Sequence, residues 1–153
     1  MAILFFDSSG LVKRYIAEPG SAWIQGITDP ASGNECYLAQ ISGAEVVSAV
    51  TRRMRRGDLT PADATTALTE FEVDFAQNLV LLENSLPRIR DAMVLIHRHS
   101  LRGYDAVQLA VALHLRDRCR TFGRPDPTMI TADRELNAAA LAEGLAVDDP
   151  NNQ

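Results

Sequence analysis

Apolar residues follow two kinds of pattern along this chain. Residues 2–6, Ala-Ile-Leu-Phe-Phe, are an unbroken apolar run without helical period. Such a run predicts a strand buried on both faces, as inside a parallel sheet. Residues 35–39, 79–82 and 128–131 predict three more strands, 79–82 as buried as the first, and residues 145–147 a short edge strand. Between them the spacing turns helical. Residues 11–16 and 22–28 predict two short helices. Ser42 opens a longer one with Val46, Val47, Val50 and Met54 at helical spacing, and Gly57 stops it. Thr60-Pro61 starts a helix to about Gln77, with proline at its first position. Pro87 starts another that runs to His97-Arg98-His99, and Gly103 separates it from the nearly all-apolar stretch Tyr104–Leu113. Arg116–Pro127 predicts a basic loop, residues 133–143 a short helix, and residues 148–153 a polar tail.

Strands separated by helices predict an α/β/α sandwich around a mainly parallel sheet of four to five strands. The division expected is one domain over residues 1–148 and a polar tail over 149–153. The length, 153 residues, is enough for a core without staples. Cys36 and Cys119 form no metal or redox motif and predict reduced thiols in a cytoplasmic protein, and no run has the length of a membrane span.

Net charge is −5, which argues against a general nucleic-acid binder. Its distribution changes that picture. Of the fifteen basic residues only Lys13 is lysine, and the arginines cluster at 52–56 and 116–124. Arginine suits bidentate phosphate contacts, so nucleic acid stays open provided the positive charge is local. The 52–56 cluster ends a helix, where cations complement the dipole without any ligand.

Four acids stand in unusual company. Asp7 ends the first buried strand, at the edge where open α/β sheets bind ligands. Glu45 lies near a helix start among small residues, Asp105 opens the nearly all-apolar helix, and Asp133 follows the strand ending at Thr131. Each has a structural explanation: Asp7 or Ser8 and Asp133 as helix caps, Ser42 with Glu45 as a capping box, Asp105 as a dipole partner. Taken together, two acids end parallel strands and two begin helices of the same layer, so all four can reach one edge. Carboxylates gathered there repel one another unless they share cations, and an all-oxygen set selects Mg²⁺ or Mn²⁺.

Phe6-Asp7-Ser8-Ser9-Gly10-Leu11, Ser42-Gly43-Ala44-Glu45-Val46, Tyr104-Asp105-Ala106-Val107-Gln108-Leu109-Ala110 and Thr131-Ala132-Asp133-Arg134-Glu135-Leu136 resemble, in order and spacing, the motifs of PIN-domain ribonucleases, most closely the VapC toxins of bacterial toxin–antitoxin pairs. The resemblance covers nearly the whole chain. It implies an endoribonuclease dependent on Mg²⁺ or Mn²⁺, with Asp7, Glu45, Asp105 and Asp133 as the acidic cluster. Thr131 matches a position beside the metal, and Ser8 or Ser9 the small polar residue after the first acid. It further implies an RNA substrate, a homodimer, and a cognate antitoxin that lays a helical tail near the active site. From its place two turns beyond Asp7, Arg14 is a candidate phosphate contact.

Other classes fit less well. A haloacid-dehalogenase-type phosphatase needs a second Asp where Ser9 stands, a response-regulator receiver needs a late lysine, and no Gly-x-Gly-x-x-Gly is present for a dinucleotide. The competing expectation is a catalytically silent PIN-like module that binds RNA or protein.

Overall fold

The computed structural model describes residues 1–153. Its five strands are β1 (Ile3–Phe6), β2 (Glu35–Ala39), β3 (Val80–Leu82), β4 (Thr128–Ile130) and β5 (Ala146–Asp148). All pair in parallel, in the order β3-β2-β1-β4-β5. The central strand β1 is buried along its whole length, which is why its sequence alternates nothing: Phe5 faces one helical layer and Phe6 the other, both with no exposed surface.

Seven helices cover the sheet: α1 (Ser8–Leu11, continued as a 3₁₀ turn to Arg14), α2 (Ser21–Thr28), α3 (Ser42–Arg56), α4 (Pro61–Gln77), α5 (Leu86–His99), α6 (Gly103–Thr121) and α7 (Arg134–Ala142). Leu4, Phe6, Leu38 and Ile130 pack on Leu11, Ile24, Val46 and Phe71 of helices α1–α4. Ile3, Phe5, Tyr37 and Met129 pack on α5, α6 and α7, where Leu95, Leu109 and Leu136 meet. Burying each large apolar side chain contributes about 1.5–3 kcal/mol, and α6 supplies most of them on its side because it is apolar nearly all round.

The topology also locates a crevice. From β1 the chain winds to β2 and β3 in one direction, then returns to β4 and winds to β5 in the other. Strand order therefore reverses between β1 and β4, and open parallel sheets bind ligands beyond the carboxyl ends of the strands at such a switch. Asp7 directly follows β1, and Thr131 and Asp133 directly follow β4.

The structure differs from the sequence reading in places. Residues 79–82 are not a fully buried strand: β3 is at the sheet edge and Val80 is 44% exposed. The first half of the segment expected as the loop 116–127 is helix, because α6 continues to Thr121. Leu115 and Cys119, four residues apart, extend its buried stripe while the arginines face outward. Phe122 and Gly123, the latter at φ +63°, then end it. Residues 150–152 form a 3₁₀ turn with Pro150 buried near Gly20. Cys36 and Cys119 are both free and buried.

Candidate active site

Asp7 is 3% exposed and sits at the N-cap of α1. The Gly10 N–H donates to its Oδ1 at 2.8 Å, and the Ser9 hydroxyl lies 2.9 and 2.8 Å from the two carboxylate oxygens. Ser9 Oγ in turn accepts from the Ala132 N–H at 3.0 Å and lies 3.3 Å from Thr131 Oγ1, which accepts from the Asp133 N–H. Ser9 thus ties the end of β1 to the end of β4. Gly10 is required here, since a Cβ on it would come within 2.5 Å of the Ile130 carbonyl oxygen. Burial pushes the Asp7 carboxyl up to about 7 despite the donors from Gly10, Ser9 and Thr131. Asp133 caps α7 through Oδ1, which accepts from the Leu136 N–H at 2.9 Å.

Glu45 and Asp105 are half-exposed, in the first turns of α3 and α6. Burial raises the Glu45 carboxyl, and the nearby Asp105 adds to that; the Gln108 amide and the Ser8 hydroxyl partly offset it. Asp105 is likewise raised by burial, then by Asp133 and Glu135, against the partial relief of Arg102. The capping box of Ser42 and Glu45 does not form: Ile41 is the N-cap of α3. Instead the Gln108 amide donates to Ser42 Oγ at 2.5 Å and to Glu45 Oε2 at 2.7 Å. Gln108 is 2% exposed, and its own Oε1 is buried without a partner. This residue carries a signal in the sequence, as the one amide within an otherwise apolar helix, one turn after Asp105.

The four acids and Thr131 therefore stand around one end of the sheet: Ser9 joins Asp7 to Thr131, Gln108 and Ser8 meet Glu45, and Asp105 stands near Glu45 and Asp133 without a hydrogen bond of its own. Arg14 does not join them. Its guanidinium is engaged on the far side of α1, with Nε 2.7 Å from Asp74 Oδ2 and Nη1 2.7 Å from Thr28 Oγ1. Three of the four arginines of the second cluster are also committed, Arg116 to Asp117, Arg120 to Asp126 and Arg124 to Glu35, and Arg118 is exposed. His97 is exposed, and His99 meets Glu143 at 2.6 Å.

The donor set suits a hard divalent cation in chemistry: carboxylates and a hydroxyl, with Asp7, Glu45 and Asp105 all held above their ordinary range chiefly by burial. The carboxylates do not close on a common point, as no three His, Cys, Asp or Glu side chains are near enough together to surround one ion.

No protein-family model matches the sequence. The chain is 30% identical over 147 residues to ribonuclease VapC45 of Mycobacterium tuberculosis (strain CDC 1551 / Oshkosh), covering 96% of this chain and 95% of that protein. The chain belongs to the VapC ribonuclease family. Ribonuclease VapC49 of M. tuberculosis strain H37Rv matches to the same extent. Among solved structures, this VapC-family chain resembles PAE2754 from Pyrobaculum aerophilum, with TM-score 0.63 and 17% identity over 99% of this chain and 91% of that one. It also resembles VapC20 of M. tuberculosis, a sarcin-ricin loop cleaving toxin, with TM-score 0.62 and 16% identity over 90% and 95%. VapBC2 from Rickettsia felis, solved with a promoter DNA fragment, matches with TM-score 0.60 and 14% identity over 96% and 98%. The VapC-family fold is thus shared across the sheet and both helical layers.

Proposed function

We propose that the chain is an endoribonuclease, the toxin of a toxin–antitoxin pair, using Mg²⁺ or Mn²⁺ held by Asp7, Glu45, Asp105 and Asp133. The observation that carries this reading is the gathering of Asp7, Glu45, Asp105 and Asp133 at the β1/β4 switch point in a chain of this family. A divalent ion bound there would neutralise phosphate charge and make a water more acidic, the chemistry that phosphodiester hydrolysis needs. The chain's own residues do the rest. Ser9 and the Gly10 N–H fix both oxygens of Asp7, so its position is set before any ligand arrives. Gln108 fixes Glu45 from α6, the helix that also carries Asp105. Asp105 accepts no hydrogen bond within the chain, which leaves it the freest of the four to move toward a ligand. Thr131 anchors the Asp133 backbone while its hydroxyl faces Ser9 and Asp7.

The partner proposed is an antitoxin with a helical tail that enters the cleft beside these acids; two chains are expected to pair as a homodimer. No helix is long and apolar enough to cross a membrane, and the proposed place of action is the cytoplasm. The test is cleavage of RNA by the purified chain with and without Mg²⁺, alongside Asp7→Asn. Metal-dependent cleavage lost in the variant supports the reading. No cleavage of any RNA by the wild type, with antitoxin absent, leaves the silent binding module instead.

A further inference from the structure

Beside the acids, α3 forms one wall of a cleft of about 630 Å³, lined by Glu45, Ser48, Arg52 and Arg53, with Tyr104 on another wall. Arg52 lies seven residues after Glu45, so both project from one face of the helix, about 10 Å apart along its axis. Ser48 and Ala49 between them are small and leave that stretch of wall open.

Three cations line the cleft, and they differ in commitment. Lys13 is bound to Glu18 at 3.3 Å and to the Pro19 carbonyl at 2.9 Å. Arg53 pairs with the same Glu18, although its Nη1 is buried without a partner. Arg52 is exposed and makes no ion pair. Elsewhere Arg14, Arg116, Arg120 and Arg124 are matched with acids; Arg55 and Arg118 also make no ion pair, but neither lines this cleft. On a chain of net charge −5, this wall keeps an uncommitted guanidinium next to the candidate catalytic carboxylates. Tyr104, adjacent in sequence to Asp105, is 58% exposed where it lines the cleft. A tyrosine left in water at that place offers an aromatic face. Guanidinium for phosphate and an aromatic face for a base are together the means by which unpaired nucleic acid is held.

We propose that Arg52 and Tyr104 form a single-stranded RNA subsite flanking the scissile bond, Arg52 binding a backbone phosphate and Tyr104 stacking on an unpaired base. The subsite rests on the endoribonuclease reading for its placement, but its binding can be measured without cleavage. It selects unpaired over duplex RNA, because a paired base cannot reach the Tyr104 ring.

The test is fluorescence anisotropy of a short labelled single-stranded RNA of mixed sequence in EDTA, titrated at several salt concentrations, with KM measured in parallel in Mg²⁺. Arg52→Gln is expected to weaken binding several-fold and reduce the salt slope by about 0.7, the share of one phosphate contact on a single strand. Tyr104→Ala is expected to weaken it about tenfold or more, as loss of one stacked base does. Both side chains are exposed, so the variants keep the wild-type melting temperature. Arg90→Gln, an exposed arginine on α5, is the control and leaves binding unchanged. Equal loss in Arg90→Gln, or an unchanged slope in Arg52→Gln, overturns the proposal. So does displacement of the RNA by a poly-glutamate peptide that depends on Arg52 but not on Tyr104, which would assign the wall to a protein partner. Cleavage by the wild type with unaltered KM in both variants refutes the subsite alone; Arg52- and Tyr104-dependent binding without any cleavage refutes the nuclease reading and keeps the subsite.

Discussion

Gln108→Leu separates positioning from stability. The side chain gives one hydrogen bond to the Glu45 carboxylate at 2.7 Å and one to Ser42 at 2.5 Å, and strands its Oε1 in the core. A hydrogen bond to a charged group is worth about 1.5–3 kcal/mol and a neutral one about 0.5–1.5, whereas a buried unsatisfied acceptor costs about 1–3. Leucine removes both bonds and the stranded oxygen at once, and packs as Leu109 and Ala112 beside it do. The fully buried Ser42 hydroxyl loses its partner, so the bonds lost outweigh the oxygen relieved and the net loss of stability is expected to be about 1–3 kcal/mol. Glu45 has no such compensation. Without the amide its carboxylate is released from the one donor that α6 directs at it, and losing such an orienting partner typically lowers metal affinity or activity about 10–100-fold. The assay pairs thermal melting with initial rates on RNA at saturating Mg²⁺, and Gln108→Asn as a shorter amide recovers part of the rate only if it reaches Glu45. A large drop in melting temperature with the rate within about twofold of wild type would refute the reasoning and make Gln108 a packing residue.

Three further outcomes follow from the same geometry. Burial raises Asp7 to about 7, so the metal-free native state holds a proton there that the unfolded chain has released; that contribution to stability is complete below about pH 4 and is lost as pH rises through about 7. Asp7→Asn is therefore expected to stabilise the metal-free protein progressively between pH 5 and 8, by at most about 4 kcal/mol, as read by melting against pH; a constant difference would contradict it. Asp74 accepts from Arg14, Tyr15 and Asn78 at 2.7, 2.8 and 2.7 Å, and Asp74→Ala should cost about 2–4 kcal/mol, less than a fully buried pair because Arg14 is partly exposed, while the rate on RNA at 25 °C holds. Gly10→Ala drives a Cβ to 2.5 Å from the Ile130 carbonyl and 3.3 Å from Asp7 Oδ1, and is expected to lower melting temperature and activity together, whereas Gly26→Ala, inside α2 with open space around it, leaves activity unchanged and raises the melting temperature slightly.

Much of this architecture is legible in the chain because burial leaves strong marks. The apolar run before Asp7 can only be a central strand, and the caps at Thr60 and Asp133 begin α4 and α7 where the sequence reading places them. What escaped it depends on tertiary contacts. The continuation of α6 through Arg116–Thr121 is decided by two residues, Leu115 and Cys119, that look incidental among charges until they pack against the core. Arg14 sits two turns beyond a candidate catalytic acid, yet helix direction sends it to Asp74, sixty positions away, and no local pattern announces that partner. The gathering of acids at one edge is implied by strand and helix order. The way Ser9 bridges β1 to β4, and Gln108 bridges α6 to α3, is not, since each bond joins segments more than sixty residues apart.

Titration calorimetry with Mn²⁺ bears most directly on the claim that these carboxylates act together on a divalent ion. The wild type should bind Mn²⁺ with saturable heat, and Asp7→Asn and Asp105→Asn should each weaken that binding by an order of magnitude or more while the chain stays folded. Absence of saturable binding by the folded wild type, or equal affinity in the variants, would contradict it.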